Sequence, residues 1–265
     1  MKSTTRWGWM GGLTLVLAGM SLAGLVLAAP PAAPKVSSFA PAKDVAAEIE
    51  KYVARLEEVV ADEAEYKDRG ETQVPKDANT VILLALAAGL HDEDIPCKSA
   101  APAILKAAQA VAKTKGFEAA KAAVAALRKA TESSGGDASA LKWEKVAELP
   151  ETMKAVPLVN NRLKRNIREK QFKKKAKDNS GDSATLAVIA QGSMADTSAA
   201  KTPEQEKQWY KFCEEMRENA SAVNKAVRKA DLEATTKAVE VLTKSCDNCH
   251  EVFSPTAIGK ADKAE

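Results

Sequence analysis

The residues best suited to chemistry lie together near the C-terminus of this sequence. Cys246-Asp247-Asn248-Cys249-His250 places two thiols three residues apart and an imidazole directly after the second thiol. On a helix, positions i, i+3 and i+4 share one face. Each thiol can then bond one vinyl group of a porphyrin while the imidazole binds its iron. Since C-x-x-C-H is the attachment pattern of c-type haem, we predict one covalent haem c, with His250 as an iron ligand.

Other chemistries for these residues lack the partners that they need. A structural zinc site takes about four ligands, and the sequence has only one further histidine, His91. A thioredoxin-type C-x-x-C is expected beside alternating strands and helices, and the sequence shows no strand pattern. A plain disulfide between Cys246 and Cys249 gives His250 no role. Paired acids, a nucleophile beside a base and a phosphate-binding loop are also missing, so we do not expect an enzyme.

The motif lies on the apolar stripe of a predicted helix. This stripe runs through the motif without a break, with the three-four spacing of one helix face. Its members are Leu232, Thr235, Val239, Leu242, Cys246, Cys249 and Phe253. Both cysteines therefore face the same way as core residues. A haem attached to them is expected to lie inside a helical bundle, where apolar packing excludes water.

The rest of the chain also has the composition of helices. Ala and Lys are abundant and aromatic residues make up 5% of the chain, which favours helices over a sandwich or barrel. Asp77 is a predicted N-cap, and Thr202 with Gln205 forms a predicted capping box. Pro157 offers a start for a further helix. Apolar periodicity predicts helices over residues 44–67, 78–90, 101–115, 117–131, 141–149 and 203–229.

The second half of the chain repeats the first. The apolar positions of one helix recur 103 residues later, so that Leu83, Leu86 and Gly89 correspond to Leu186, Ile189 and Gly192. We therefore predict an all-α fold of two tandem four-helix bundles, the second of which binds haem. The predicted boundaries are 43–132 for a haem-less bundle, 133–142 for a linker, 143–254 for the haem-binding bundle and 255–265 for a flexible tail.

Only the second half carries the groups that bond haem. When the last helices of the two halves are aligned, the residues opposite Cys246, Cys249 and His250 are Thr131, Ser134 and Gly135. We therefore predict one haem per chain. The first half is rich in Ala, and we expect it to close its core with small side chains.

Residues 1–29 are typical of a signal peptide or an N-terminal membrane anchor. Lys2 and Arg6 precede an apolar run from about Trp7 to Ala29, and small residues end that run. The run is also about long enough to span a bilayer. In either case the rest of the chain is expected in the periplasm or otherwise exported, with membrane contact only through an uncleaved N-terminus. Residues 30–42 are a predicted Pro/Ala-rich linker.

The part from about Trp143 to Ser254 resembles the class II c-type cytochromes, the cytochrome c′ family. The resemblance depends on C-x-x-C-H in the last helix of a four-helix unit and on Phe253 three residues after the histidine. It implies that His250 binds the iron on one side. The other side is either open or bound to a Met of the first helix, which makes Met153 the candidate sixth ligand. Many members have an Arg where this chain has Ser254. Members often pair through their early helices, so either a homodimer or a pseudo-dimer of the two halves is expected.

Several other residues have two interpretations. Met194 and Met216 are further candidate ligands or core residues, and Trp209, Tyr210 and Phe212 are candidates for packing against haem. His91 is predicted to be a surface or capping residue. Cys97 and Cys213 can form a disulfide in an oxidising compartment or remain two buried thiols. A basic run is either a solvated helix end or a docking face for an acidic partner or anionic membrane. It comprises Arg162, Lys164, Arg165, Arg168, Lys170, Lys173, Lys174, Lys175 and Lys177.

These observations favour one-electron transfer to and from a redox partner protein. A Met sixth ligand would keep the iron six-coordinate and raise its potential. With an open sixth position, the same site would bind or sense a small gas such as nitric oxide or carbon monoxide. A third interpretation is a sensing or assembly module, with the first half as a protein-binding surface. The basic run has too few interleaved aromatics to predict nucleic-acid binding.

Overall fold

A computed structural model of the protein describes residues 29–254, which form helices and loops without a β-strand. The all-helical prediction is confirmed for this part of the chain. Short helical segments lie at Val36–Ser38, Glu63–Glu65, Tyr66–Gly70 and Glu169–Phe172. The long helices are α1 (Ala42–Val59), α2 (Glu71–Gly89), α3 (Ala101–Ala112), α4 (Phe117–Thr131), α5 (Leu149–Asn166), α6 (Ala176–Ser193), α7 (Pro203–Arg228) and α8 (Leu232–Phe253).

The chain ends named in the sequence predictions lie outside the described residues. These are the signal or anchor segment, of which only Ala29 is described, and the tail over 255–265. Between residues 29 and 254, no helix combines the length and the apolar character that crossing a bilayer would require.

The predicted helix boundaries hold best where a local signal marks them. Gly116 has a φ of 83° directly before α4, which spans the predicted residues. The hydroxyl of Thr202 accepts a hydrogen bond from the amide of Gln205 over 3.2 Å and caps α7. Asp77, by contrast, was predicted as an N-cap and lies inside α2. Its buried carboxylate instead accepts a hydrogen bond from Nε of Arg55, 3.1 Å away on α1.

The region before α5 also differs from the prediction. No helix forms over residues 141–148, because this segment packs against the first half through its backbone. The side-chain amide of Gln109 donates to the carbonyl of Val146 (3.0 Å), and the amide of Glu148 donates to Asn79 (2.7 Å). α5 then begins at Leu149, so Pro157 lies inside this helix rather than at its start.

The long helices contact one another in chain order, in two sets of four. In the first set, α1 contacts α2, α2 contacts α3, α3 contacts α4 and α4 returns to α1. In the second set, the same order of contacts links α5 to α6, α7 and α8, and α8 returns to α5. The two sets meet through α1 with α6, α2 with α5, and α2 with α6. The four elements at the junction are therefore the first two helices of each set.

A glycine allows the close approach of α2 and α6 at this junction. A Cβ atom built on Gly192 would lie only 2.6 Å from Cδ2 of Leu83. No side chain larger than hydrogen fits there unless Leu83 moves. The two residues belong to opposite halves, and Leu83 is almost fully buried. Gly192, which corresponds to Gly89 in the repeat, thus allows one half to pack closely on the other.

Buried charges also join the halves. The carboxylate of Asp182 on α6 accepts two hydrogen bonds from Arg162, both 2.7 Å long, and one of 2.7 Å from Nζ of Lys51 on α1. Lys51 also contacts Glu48, whose carboxylate accepts a hydrogen bond from the hydroxyl of Thr185 on α6. Since Asp182 is fully buried, removing it would take the carboxylate partner from Arg162 and leave Lys51 with Glu48 alone, which is costly.

The segment before α1 packs on the body of the protein. His91, predicted to be a surface or capping residue, is buried. Its Nε2 lies 3.0 Å from the carbonyl oxygen of Ala40, and its Nδ1 accepts a hydrogen bond of 3.0 Å from the amide of Glu93. An acceptor Nδ1 requires that the proton be on Nε2, which then donates to Ala40. The end of the predicted linker is therefore held by a histidine that has no free ring nitrogen for a metal.

Candidate functional site

A narrow cavity of about 30 Å³ lies between α5, α6, α7 and α8. Most side chains around it are aliphatic, aromatic or sulphur-containing. The lining residues are Met153, Val156, Ala190, Ser193, Trp209, Phe212, Cys213, Met216, Ser245, Cys246, Cys249 and His250.

All three residues of the predicted attachment motif lie on this cavity because α8 runs unbroken through them. The helix begins at Asp231, whose carboxylate caps it by accepting a hydrogen bond of 2.9 Å from the amide of Ala234. The predicted stripe is confirmed, since its members are buried or half-buried while Asp247 and Asn248 are exposed. One helix face thus presents both thiols and the imidazole to the same space.

The environment of the two thiols suits a neutral sulphur. Burial raises the pKa of Cys246 to about 11 and the pKa of Cys249 to about 12. Both therefore carry their proton at neutral pH. A thioether is also uncharged, so converting these thiols into bonds to a porphyrin would place no charge in the apolar wall. The donor set of two half-buried thiols and one imidazole fits a covalently bound haem.

An aromatic cluster closes one side of the cavity. The ring of Phe253 makes edge contacts with Trp209 and Phe212, at centroid distances of 5.2 and 6.1 Å. Nε1 of Trp209 donates a hydrogen bond of 2.9 Å to the carbonyl of Ser193 at the end of α6. Trp209 and Phe212 therefore both line the cavity, and their packing against haem stays a prediction. Tyr210 lies in the buried cluster beside them.

The methionines divide into two groups. Met153 lies inside α5, contrary to the expectation that Pro157 begins this helix, and it lines the cavity together with Met216 of α7. Met194 is buried beside the cavity in a cluster with Leu149 and is not among the lining residues. Two thioethers thus reach the space next to the motif, and Met153 as a sixth ligand stays a prediction.

No protein-family model, curated protein or solved structure matches this chain. The site's own residues must therefore support any assignment. Between residues 29 and 254, no group of three or more His, Cys, Asp or Glu side chains could hold a metal ion. A zinc site built on the motif accordingly lacks its ligand set in the described part of the chain.

The cavity also contains a cysteine whose position the sequence did not reveal. The disulfide that the sequence allowed between Cys97 and Cys213 is absent, and both residues are free thiols. Cys97 packs against the large core cluster, whereas Cys213 is buried on the cavity wall. Burial raises the pKa of Cys213, so its thiol is neutral. No signal in the sequence marked this position, because cavity-facing and core-facing positions of a helix look alike.

Gly89, the residue of the first half that corresponds to Gly192, is approached closely by the chain that follows α4. A Cβ built on Gly89 would lie 2.3 Å from a methyl carbon of Leu141 and near Ala101. The chain after α4 folds back over this end, where the amide of Gly136 donates to the carbonyl of Ser99 over 3.0 Å. Small Ala side chains are buried in the core of the first half, and the predicted linker also packs over this end.

The basic run lies away from the cavity. Met153 is near the start of α5 and Arg165 is near its end, which separates them by about 18 Å along the helix. Arg162 is bound to Asp182, and Lys175 forms an ion pair with Asp178. The remaining cations of the run are exposed around the turn between α5 and α6. None of these cations lines the cavity, but Lys164 lies near enough to Cys246 of the motif to act on its thiol.

Proposed function

We propose that this chain is an exported c-type cytochrome that carries one covalent haem and transfers single electrons. Cys246 and Cys249 would hold the haem through thioether bonds, and the imidazole of His250 would bind its iron. A bound haem supplies a reversible one-electron change at this iron. The observation that carries the proposal is that these three residues line one largely apolar cavity between four helices.

The walls of the cavity have a defined role in such a carrier. Apolar side chains exclude water and lower the local dielectric, and this environment sets the redox potential together with the axial ligands. Val156 and Ala190 supply aliphatic surface, and Trp209 supplies an aromatic face that its bond to Ser193 keeps in place. Preorganised packing of this kind keeps structural change small when the charge of the site changes.

The two sets of helices support a tandem arrangement in which the first half replaces a partner subunit. Equivalent helices of the two halves make reciprocal contacts, as a two-fold axis between the halves would require. The first helix of each set contacts the second helix of the other, and the two second helices contact each other. An isologous interface has this pattern. The haem-less half thus acts as the pseudo-dimer partner of the haem-binding half.

The sixth position decides between electron transfer and gas binding. Met153 is the proposed ligand because it lines the cavity from α5, the first helix of the second set. A bound thioether keeps the iron six-coordinate and favours electron transfer. An open position would favour nitric oxide or carbon monoxide binding instead. The N-terminal sequence supports export, where c-type haem is attached, and a second redox protein is the expected partner.

Haem attachment can be tested directly. The full chain is co-produced with a haem-attachment system, and covalent haem is detected by staining after denaturing electrophoresis. Haem content per chain follows from a pyridine haemochrome assay against amino-acid analysis. We expect one haem in the wild type, none in C246A/C249A, and one in the matched variant C97A, whose cysteine lies outside the cavity. Stain in the double variant, or two haems per chain, would contradict the proposed site.

A further inference from the structure

A third thiol lies in the cavity that holds the two attachment thiols. Cys213 on α7 has 7% of its surface exposed, and it lines the same space as Cys246 and Cys249 on α8. The proposed attachment chemistry consumes two thiols and leaves Cys213 unused. A buried thiol beside a reactive pair can exchange with it when an oxidant is present.

The packing distinguishes the two possible partners of Cys213. Cys213 and Cys249 belong to one small buried cluster, together with Trp209 and Phe253, whereas Cys246 packs against the larger core. α7 and α8 form a helical hairpin in extensive contact. Cys213 lies 17 residues before Ala230 in the turn, and Cys249 lies 19 residues after it, so the two are at about the same level of the hairpin. Neighbouring positions on packed helices are suited to a disulfide.

We infer that Cys213 is a redox partner of Cys249 in the haem-free protein. Oxidation by a small disulfide such as oxidised glutathione forms one bond between Sγ of Cys213 and Sγ of Cys249. The two thiols lose two protons and two electrons, and the oxidant's disulfide is reduced to two thiols. The new bond ties α7 to α8 across the cavity and removes one of the two attachment thiols.

This disulfide makes haem attachment dependent on a reductant. Cys249 becomes available only after two thiols of a reductant restore the pair by exchange. Once haem is attached, Cys249 is a thioether and Cys213 is left as a free thiol next to it. This consequence for haem rests on the proposed function, whereas the disulfide itself can be measured without haem.

The bond can be mapped in the haem-free full-length protein. The folded chain is incubated with oxidised glutathione, its remaining thiols are alkylated, and peptides are analysed by mass spectrometry. Trypsin and cleavage before Asp247 separate Cys246 from Cys249 and both from Cys213. We expect the four free thiols to fall to two, with Cys213 linked to Cys249 and with Cys97 and Cys246 alkylated. In C213S, this link is lost, and C97S serves as the matched control that retains it.

The outcomes separate this inference from the proposed function. A bond only between Cys246 and Cys249, or four free thiols after oxidation of folded wild type, overturns the role of Cys213 and leaves haem attachment untouched. A second measurement compares haem attachment in vitro with and without prior reduction. Oxidised wild type should need reductant before haem attaches. In the oxidised C213S variant, only Cys246 and Cys249 of the cavity can pair, and its requirement for reductant should differ from that of wild type. If C246A/C249A retains covalent haem, the proposed function fails while the disulfide mapping of the wild type stands.

Discussion

The indole nitrogen of Trp209 donates a hydrogen bond to the backbone carbonyl of Ser193, 2.9 Å away, and so joins α7 to the end of α6 beside the cavity. The same ring makes an edge contact with Phe253, three residues after the proposed iron ligand. Three of the four helices around the cavity are therefore linked through one side chain. This arrangement makes Trp209 the main positioning residue of the cavity wall.

Replacing Trp209 separates the hydrogen bond from the packing. Trp209→Phe removes the donor and keeps an aromatic ring, and we expect the free energy of unfolding to fall by about 1–2 kcal/mol. Trp209→Ala also removes the buried ring and should cost about 3–5 kcal/mol. Urea unfolding followed by circular dichroism measures both. Equal losses in the two variants would show that the ring contributes little beyond its hydrogen bond.

The Met153 prediction concerns the sixth ligand of a haem-loaded protein. Met153→Leu conserves volume but removes the thioether sulphur, so the weak near-infrared Met–iron band should disappear and carbon monoxide should bind the reduced protein. Met194→Leu is the matched control, because Met194 is buried outside the cavity lining. Met216→Leu tests the other lining methionine. If wild type already binds carbon monoxide readily, the gas-binding function replaces electron transfer as the better assignment.

A single methyl group at Gly192 tests the contact between the halves. In an open helix, Gly→Ala stabilises by about 0.5–1 kcal/mol. At Gly192 we expect the opposite sign, a loss of about 1–3 kcal/mol, because the added Cβ overlaps Leu83. Unfolding of G192A, L83A and the double variant gives a double-mutant cycle. In the double variant, the added Cβ at position 192 no longer overlaps the side chain at position 83. If the changes in the free energy of unfolding were simply additive, this would contradict a close contact between α2 and α6.

The junction between the halves should also respond to pH through Glu48. Burial raises the pKa of this carboxyl, although the ammonium of Lys51 works against the shift. Below the ordinary pKa of 4.5, both the folded and the unfolded chain hold the proton. As pH rises through the folded pKa, the folded chain must ionise a buried group, and stability declines. Glu48→Gln has no such proton. The midpoint temperature of its thermal unfolding should therefore rise relative to that of wild type as pH rises from about 4 to 8. A constant difference would show that this carboxyl does not titrate differently on folding.

Helix starts could be predicted from the sequence where a capping residue or a glycine marks them locally. α4 and α7 began at their predicted residues, since Gly116 and Thr202 act on the adjacent turn of chain. α2 and α5 began earlier than the patterns indicated. Their first two turns contain prolines, and Asp77 in α2 pairs with Arg55 on another helix. A partner on another helix leaves no mark in local periodicity.

The sequence by itself determined the helical class and the inward stripe of α8, because a period of 3.6 residues and a short motif are properties of neighbouring positions. It also determined which two thiols and which imidazole share a helix face. Only the tertiary structure decided that Cys213, 36 residues from Cys249, opens onto the same cavity while Cys97 does not. It also decided that Gly192 approaches Leu83 and that His91 is buried. These relationships join residues far apart in sequence, and packing between helices, which no local pattern encodes, brings them into contact.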